Sequence, residues 1–264
     1  MKNIKANKKY GQNFLKDQYI LNKIIESMPN NTNSIVEIGP GLGDLTNKIV
    51  KYKDVTAYEV DSNLVTILKN KFVAEINSGK LSLIKGDVLD YWKSKNTLCN
   101  TKYDLIANLP YYIATNIILR AFEDINCENI MVMVQKEVAK KFSSTHKQRD
   151  FSSLSVITEL IAKDSKILFD VPASSFEPSP KVNSSILYIK KDLKAKVDIE
   201  FKKFLKSAFS SPRKRLFKNL STIINKSYLI DIYENMNISD NIRPHELSSA
   251  LYSQMYKKVI NNDK

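Results

Sequence analysis

Ser34-Ile-Val-Glu37-Ile-Gly39-Pro-Gly41-Leu-Gly43 is the stretch that decides the fold. A short apolar run ends in three glycines at alternate positions and leads into the helical pattern of Leu42–Val50. Such a run reads as a buried strand, and the glycines after it let the backbone turn tightly and approach a ligand where a Cβ would clash. The spacing is GxGxG, not the GxGxxG of pyrophosphate binders.

Working outward, strands are predicted at Val55–Val60, Leu81–Lys85, Tyr103–Ala107 and Ile130–Val134. Helices are predicted at Asn63–Ile76, at Thr115–Phe122 and from Lys136. Ile167–Phe169 and Ser185–Ile189 read as closing strands of the same sheet. This alternation predicts an α/β fold with a parallel sheet covered by helices on both faces. After Lys190 the pattern changes: Ile199–Phe209, Arg215–Asn225, Tyr228–Met236 and Leu247–Val259 all read as helices. The expected division is therefore a catalytic domain with its N-terminal segment over 1–191 and a small basic helical domain over 192–264.

The net charge of +13 is unevenly spread. Residues 1–16 hold five lysines and no acid, residues 17–189 hold 20 bases and 20 acids, and residues 190–264 hold 16 bases and 8 acids. Basic ends around a neutral body suit a polyanionic partner, because phosphate contacts supply most nonspecific affinity. No apolar run approaches the roughly 18–20 residues needed to span a bilayer, and the lysine-rich start lacks the apolar stretch of a signal peptide. A cytoplasmic protein without membrane contact is expected. Cys99, Cys127, His146 and His245 fall at no metal-ligand spacing, so no metal site is expected.

Two acids strengthen the glycine turn. Glu59 ends the second strand, 20 residues after Gly39, where an acid hydrogen-bonds the ribose hydroxyls of an adenosine-containing cofactor. Asp87, in Gly86-Asp87-Val88 after the third strand, could accept from the adenine amine. Ligands of open α/β sheets bind at the carboxyl edge, so three such features at three consecutive strand ends point to one site. On these features alone NAD remains an alternative.

The fourth strand ends in Asn108-Leu109-Pro110-Tyr111. An exocyclic adenine amine is a poor nucleophile, its lone pair being delocalised into the ring. The Asn108 side-chain oxygen and the Leu109 carbonyl can accept its two N–H groups, favouring a pyramidal nitrogen aimed at a sulfonium methyl. Pro110, without an N–H of its own, fixes the backbone, and Tyr111 offers a face for stacking. No general base is needed before transfer, so catalysis is mostly positioning.

With these motifs the chain resembles the KsgA-type small-subunit ribosomal RNA adenine N6-dimethyltransferases. The matching stretches include Tyr10-Gly-Gln-Asn-Phe-Leu15, Glu37–Gly43, Asn108–Ile113, Val134-Gln-Lys-Glu-Val-Ala139, Phe176-Glu-Pro-Ser-Pro-Lys-Val182, Arg213–Leu220 and Arg243–Ser248. The resemblance implies a Rossmann-like, S-adenosyl-L-methionine-dependent methyltransferase fold with a small C-terminal all-helical domain. It implies dimethylation of two adjacent adenosines near the 3′ end of small-subunit (16S) ribosomal RNA, within a pre-ribosomal particle, by a monomer. Gln12, Asn13, Leu15, Gly39, Gly41, Glu59, Asp87, Val88 and Asn108 would hold the cofactor. Tyr111 and Phe176 would sandwich the flipped adenine, with Phe176 displayed on a stiff loop before Pro178 and Pro180. Arg213, Lys214, Arg215 and Lys218, read as the start of a helix, would bind RNA phosphates.

The related large-subunit enzymes that confer macrolide resistance usually carry Asn-Ile-Pro, whereas Leu109 and the C-terminal signature here favour the small-subunit type. Two departures stand out: Phe151-Ser-Ser-Leu154-Ser155 in place of Tyr-Gly-x-Leu-Ser, and Arg243-Pro-His-Glu-Leu247-Ser248 in place of Arg-Ala-Glu-x-Leu-Ser.

Overall fold

The computed structural model of the chain describes Asn7 and residues 10–262. Elements run β1 (Phe14–Leu15), α1 (Gln18–Glu26), β2 (Ser34–Ile38), α2 (Thr46–Ile49), β3 (Val55–Glu59), α3 (Ser62–Lys71), α4 (Val73–Asn77), β4 (Leu81–Lys85) and α5 (Val88–Lys95). They continue with β5 (Tyr103–Asn108), α6 (Ala114–Glu123), β6 (Cys127–Gln135), α7 (Lys136–Ser143), α8 (Ser153–Ile161), β7 (Ala162–Val171), β8 (Phe176–Glu177) and β9 (Ser184–Lys191). Helices α9 (Ile199–Ala208), α10 (Leu216–Leu220), α11 (Lys226–Asn235) and α12 (Ser249–Asn262) complete the chain.

The main sheet has the order β4-β3-β2-β5-β6-β9-β7. Strands β4 through β6 pair in parallel, as the alternating pattern predicts. The sheet is nevertheless mixed, not purely parallel: β9 runs antiparallel to β6, from Asn129↔Lys190 to Gln135↔Ser184. From β2 the chain builds outward through β3 to β4 on one side and through β5 to β6 on the other. That reversal leaves a crevice beyond the carboxyl ends of β2 and β5, the place where open α/β sheets hold ligands.

The glycine turn explains two differences from the expected helices. Residues 39–45 are taken up by the turn, so α2 begins only at Thr46. The expected Asn63–Ile76 helix breaks at Phe72 (φ −115°, ψ 36°) into α3 and α4. Phe72 is buried directly against Gly43. A Cβ on Gly43 would stand 2.6 Å from the Phe72 ring and 2.8 Å from Leu68, so this third glycine serves helix packing.

A buried carboxylate needs partners on all sides, and Asp124 has them. It accepts from Trp92 Nε1 at 2.8 Å, the Leu98 N–H at 3.0 Å and Tyr103 Oη at 2.7 Å. This knot ties α5 to the start of β5.

The chain divides into two compact units. One comprises the residues up to Ala139 with Lys166–Leu193; the other comprises Lys140–Ser165 with Lys194–Lys264. A single cut near 192 is therefore not what the structure shows, because α8 packs with α9 and α12. The second unit has an aromatic core in which Phe204 and Tyr252 lie 6.5 Å apart and Phe151 and Phe209 6.1 Å apart. In that unit the Ser152–Ser155 departure is a helix start: Ser155 Oγ accepts from the Ser152 N–H at 3.0 Å. Ser152 is extended (φ −148°), so the position makes no demand for glycine. At the second departure, Pro244 opens a short 3-10 turn in which Glu246 accepts from the Arg243 N–H at 2.6 Å.

Candidate cofactor and adenine site

One cavity of about 1130 Å³, its open mouth included, lies at the carboxyl ends of β2, β3, β4 and β5. Its wall brings together every residue that the sequence placed at the cofactor: Gln12, Asn13, Leu15, Gly39, Gly41, Glu59, Asp87, Val88 and Asn108. Leu109, Pro110 and Tyr111 line it as well.

The floor is the glycine turn. The Gly39 N–H donates to the Tyr58 carbonyl at 2.8 Å, tying the turn to the tip of β3. Gly41 holds φ +62°, and a Cβ there would meet the Phe14 ring at 3.1 Å. Glu59 is buried at the end of β3 and fixes the same turn. Its Oε2 accepts from the Gly41 N–H at 3.2 Å and its Oε1 from the Asp61 N–H at 2.9 Å. Each oxygen keeps a lone pair for a ribose hydroxyl. Burial raises the Glu59 pKa, while the two N–H groups oppose the rise.

Asp87 caps α5 through Oδ1, which accepts from the Leu89 N–H at 2.8 Å. That leaves Oδ2 for a purine amine. Gln12 is held over the site from the side, its Nε2 donating to Asp61 at 3.0 Å.

The tetrad continues β5. The Leu109 N–H donates to the Met133 carbonyl on β6 at 3.1 Å. Asn108 Nδ2 donates to the Asn13 carbonyl at 3.0 Å, so its Oδ1 is the group left to accept. Tyr111 Oη and Ser184 Oγ are hydrogen-bonded at 2.8 Å, and burial keeps the phenol in its neutral form.

Phe176 departs from the expectation of a displayed aromatic. It is 5% exposed, belongs to the hydrophobic core with Leu15 and Ile20, and does not line the cavity. The cause is strand pairing: β8 joins β1 as a small antiparallel ladder with Leu15↔Phe176. Ser175 Oγ reinforces that ladder by donating to Asp17 at 2.9 Å.

Among the cavity residues that the sequence reading did not assign are Glu37, Val60 and Tyr112. Glu37 is 1% exposed and its Oε2 accepts from Thr46 Oγ1 at 2.6 Å. Burial, with the charge of Glu59 behind it, pushes its pKa up to about 8. Val60 and Tyr112 also line the cavity. The available signals were an acid inside a buried strand and an exposed hydrophobe straight after a strand-end acid.

In the second unit Arg213, Lys214, Arg215 and Lys218 are all exposed and line one concave surface with Lys226 and Arg243. They do not form a helix face as expected: Arg213 and Lys214 precede α10, Arg215 is its N-cap and only Lys218 lies within it. No helix among the described residues is long and apolar enough to cross a membrane.

Comparison with known proteins agrees with this geometry. The profile described as ribosomal RNA adenine dimethylase matches residues 3–261. Ribosomal RNA small subunit methyltransferase A of Aliarcobacter butzleri (strain RM4018) is 64% identical, over 99% of this chain and 98% of the relative. Its namesake from Sulfurimonas denitrificans is 51% identical, over 97% and 95%. Among solved structures, a dimethyladenosine transferase from Plasmodium falciparum has a TM-score of 0.75 at 25% identity, covering 92% of this chain and 98% of that one. The 23S rRNA methyltransferase ErmE shares the fold, with a TM-score of 0.70 at 19% identity over 94% and 100%. The chain belongs to the ribosomal RNA adenine dimethylase family.

Proposed function

We propose that this enzyme uses S-adenosyl-L-methionine to dimethylate two adjacent adenosines near the 3′ end of small-subunit (16S) ribosomal RNA. Its substrate would be a pre-ribosomal particle, met in the cytoplasm by a single copy of the chain. The observation that carries the reading is the Asn108–Asn13 hydrogen bond. It fixes which way the Asn108 amide points and so supports Oδ1 as the acceptor for the incoming adenine amine.

The cavity suits the cofactor. A glycine turn without side chains, the buried Glu59 carboxylate and the free Asp87 Oδ2 match the phosphate-free, polar outline of an adenosine bearing an amino acid. Bound there, S-adenosyl-L-methionine supplies a methyl group on a positively charged sulfur. The residues of the chain do the rest. Asn108 Oδ1 and the Leu109 carbonyl each accept one N–H of the target amine, holding its nitrogen pyramidal. Pro110 keeps the Leu109 carbonyl free of a competing N–H at the next residue. Tyr111, tethered to Ser184, gives the extruded base a fixed face. The attacking amine is neutral, so its proton leaves to solvent after transfer. The exposed cations of the second unit would hold the RNA backbone and set its orientation without reading bases.

The test is transfer of labelled methyl to undermethylated small subunits, followed by nucleoside analysis. Dimethyladenosine in the small-subunit RNA is expected. Label in large-subunit RNA, or none at all, would overturn the reading.

A further inference from the structure

Tyr112 follows the tetrad directly, lines the cavity and is 62% exposed. Its phenol has no part in holding the target amine, which Asn108 and Leu109 already satisfy. The turn around it is closed by the Ile113 N–H, which donates to the Pro110 carbonyl at 3.2 Å. One edge of the ring approaches Gly11: a Cβ there would stand 3.3 Å from Cδ1 and 3.5 Å from Cε1. Tyr112 and Asp87 line the same cavity; partial burial raises the phenol pKa, and the charges of Asp87 and then Tyr10 push the same way. An exposed aromatic ring and a free carboxylate oxygen lining one cavity suit a purine: one stacks, the other takes the amine.

We propose that Tyr112 is the stacking wall for the adenine of the cofactor, closing the outer end of the cavity, with Gly11 left bare so that the ring edge can come close. The inference rests on assigning the cavity to S-adenosyl-L-methionine.

Calorimetry with S-adenosylhomocysteine tests it on the full chain. Wild type binding one equivalent upholds the cavity assignment, and no binding by wild type would remove that assignment together with the inference. Tyr112→Ala is expected to weaken binding about tenfold, within the range of base–aromatic stacking, and Tyr112→Phe to restore it. Tyr112→Trp adds an exposed indole to a chain whose other tryptophan, Trp92, is buried. Its emission should change with 5′-methylthioadenosine and stay constant with methionine. If wild type binds and Tyr112→Ala binds equally well, the stacking role is wrong while the cavity assignment stands. A loss confined to RNA affinity would equally overturn it, assigning the ring to a nucleotide of the substrate.

Discussion

The side-chain amide of Asn108 donates from Nδ2 to the main-chain carbonyl of Asn13 at 3.0 Å, joining the end of the fourth parallel strand to the N-terminal segment. The acceptor end of this amide is thus set by a residue 95 positions earlier.

Asn108→Ala should therefore lower the rate of methyl transfer about a hundredfold or more, the scale of lost positioning. Asn108→Asp should fare no better, because a carboxylate cannot donate to the Asn13 carbonyl. Dimethyladenosine formed per minute on undermethylated small subunits is the readout. Wild-type turnover by either variant would remove Asn108 from the mechanism.

Glu59 holds the turn, and its role in the proposed site is to hold the ribose as well. Glu59→Ala frees the Gly41 and Asp61 N–H groups at once, and S-adenosylhomocysteine should bind at least about tenfold more weakly, the loss of one or two charge-assisted hydrogen bonds. Titration calorimetry measures this directly; an unchanged dissociation constant would sink the assignment.

Glu37 makes stability depend on pH. Its carboxyl ordinarily titrates near 4.5 and in the folded chain near 8. Between those values the folded form keeps a proton that the unfolded chain has lost. Its contribution is therefore level below pH 4.5, falls as pH rises toward 8 and levels again above, by something on the order of a few kcal/mol. Glu37→Gln keeps an acceptor for Thr46 but cannot ionise. The variant should lose less stability than wild type between pH 5 and 8 in denaturant melts; parallel curves would contradict this.

Two glycines with similar backbones should respond differently to alanine. A Cβ on Gly43 (φ +75°) would meet Phe72 and Leu68 at under 3 Å, whereas one on Gly79 (φ +78°) would find nothing within 4 Å. Gly43→Ala should cost about 2–4 kcal/mol, from strain plus overpacking. Gly79→Ala should cost only about 1–2 kcal/mol, from the backbone alone. Equal melting temperatures for the two variants would refute the packing role.

Arg213→Ala combined with Lys214→Ala should raise the KM for RNA and lower the slope of log affinity against log salt by about 1–2. Cofactor affinity should stay as it was. An unaltered salt slope would count against phosphate contact at this surface.

What could be read from the sequence was local. The glycine turn, Glu59, Asp87 and the tetrad each lie at or just past the end of a strand, so hydrophobic periodicity alone places them at one sheet edge. Phe176 could not be placed that way: its burial depends on pairing with Leu15, a partner far away in the chain. The cations at 213–215 looked helical by spacing, yet Arg215 adopts an extended N-cap conformation and the helix starts after it. The allegiance of residues 140–165 was equally hidden, because α8 is apolar enough to suit either unit. Its partners α9 and α12 lie at least 38 residues further on.

That allegiance bears on how the protein can be dissected. Severing the chain after Leu193 would take from α8, in which Val156, Ile157 and Ile161 are buried, the helices α9 and α12 that it packs with, leaving greasy surface on one fragment and an unfilled seam in the other. Neither piece would be a faithful stand-in for its half. A separable version of the second unit would need 140–165 grafted back through a linker, and the first unit alone would need that insertion excised and bridged.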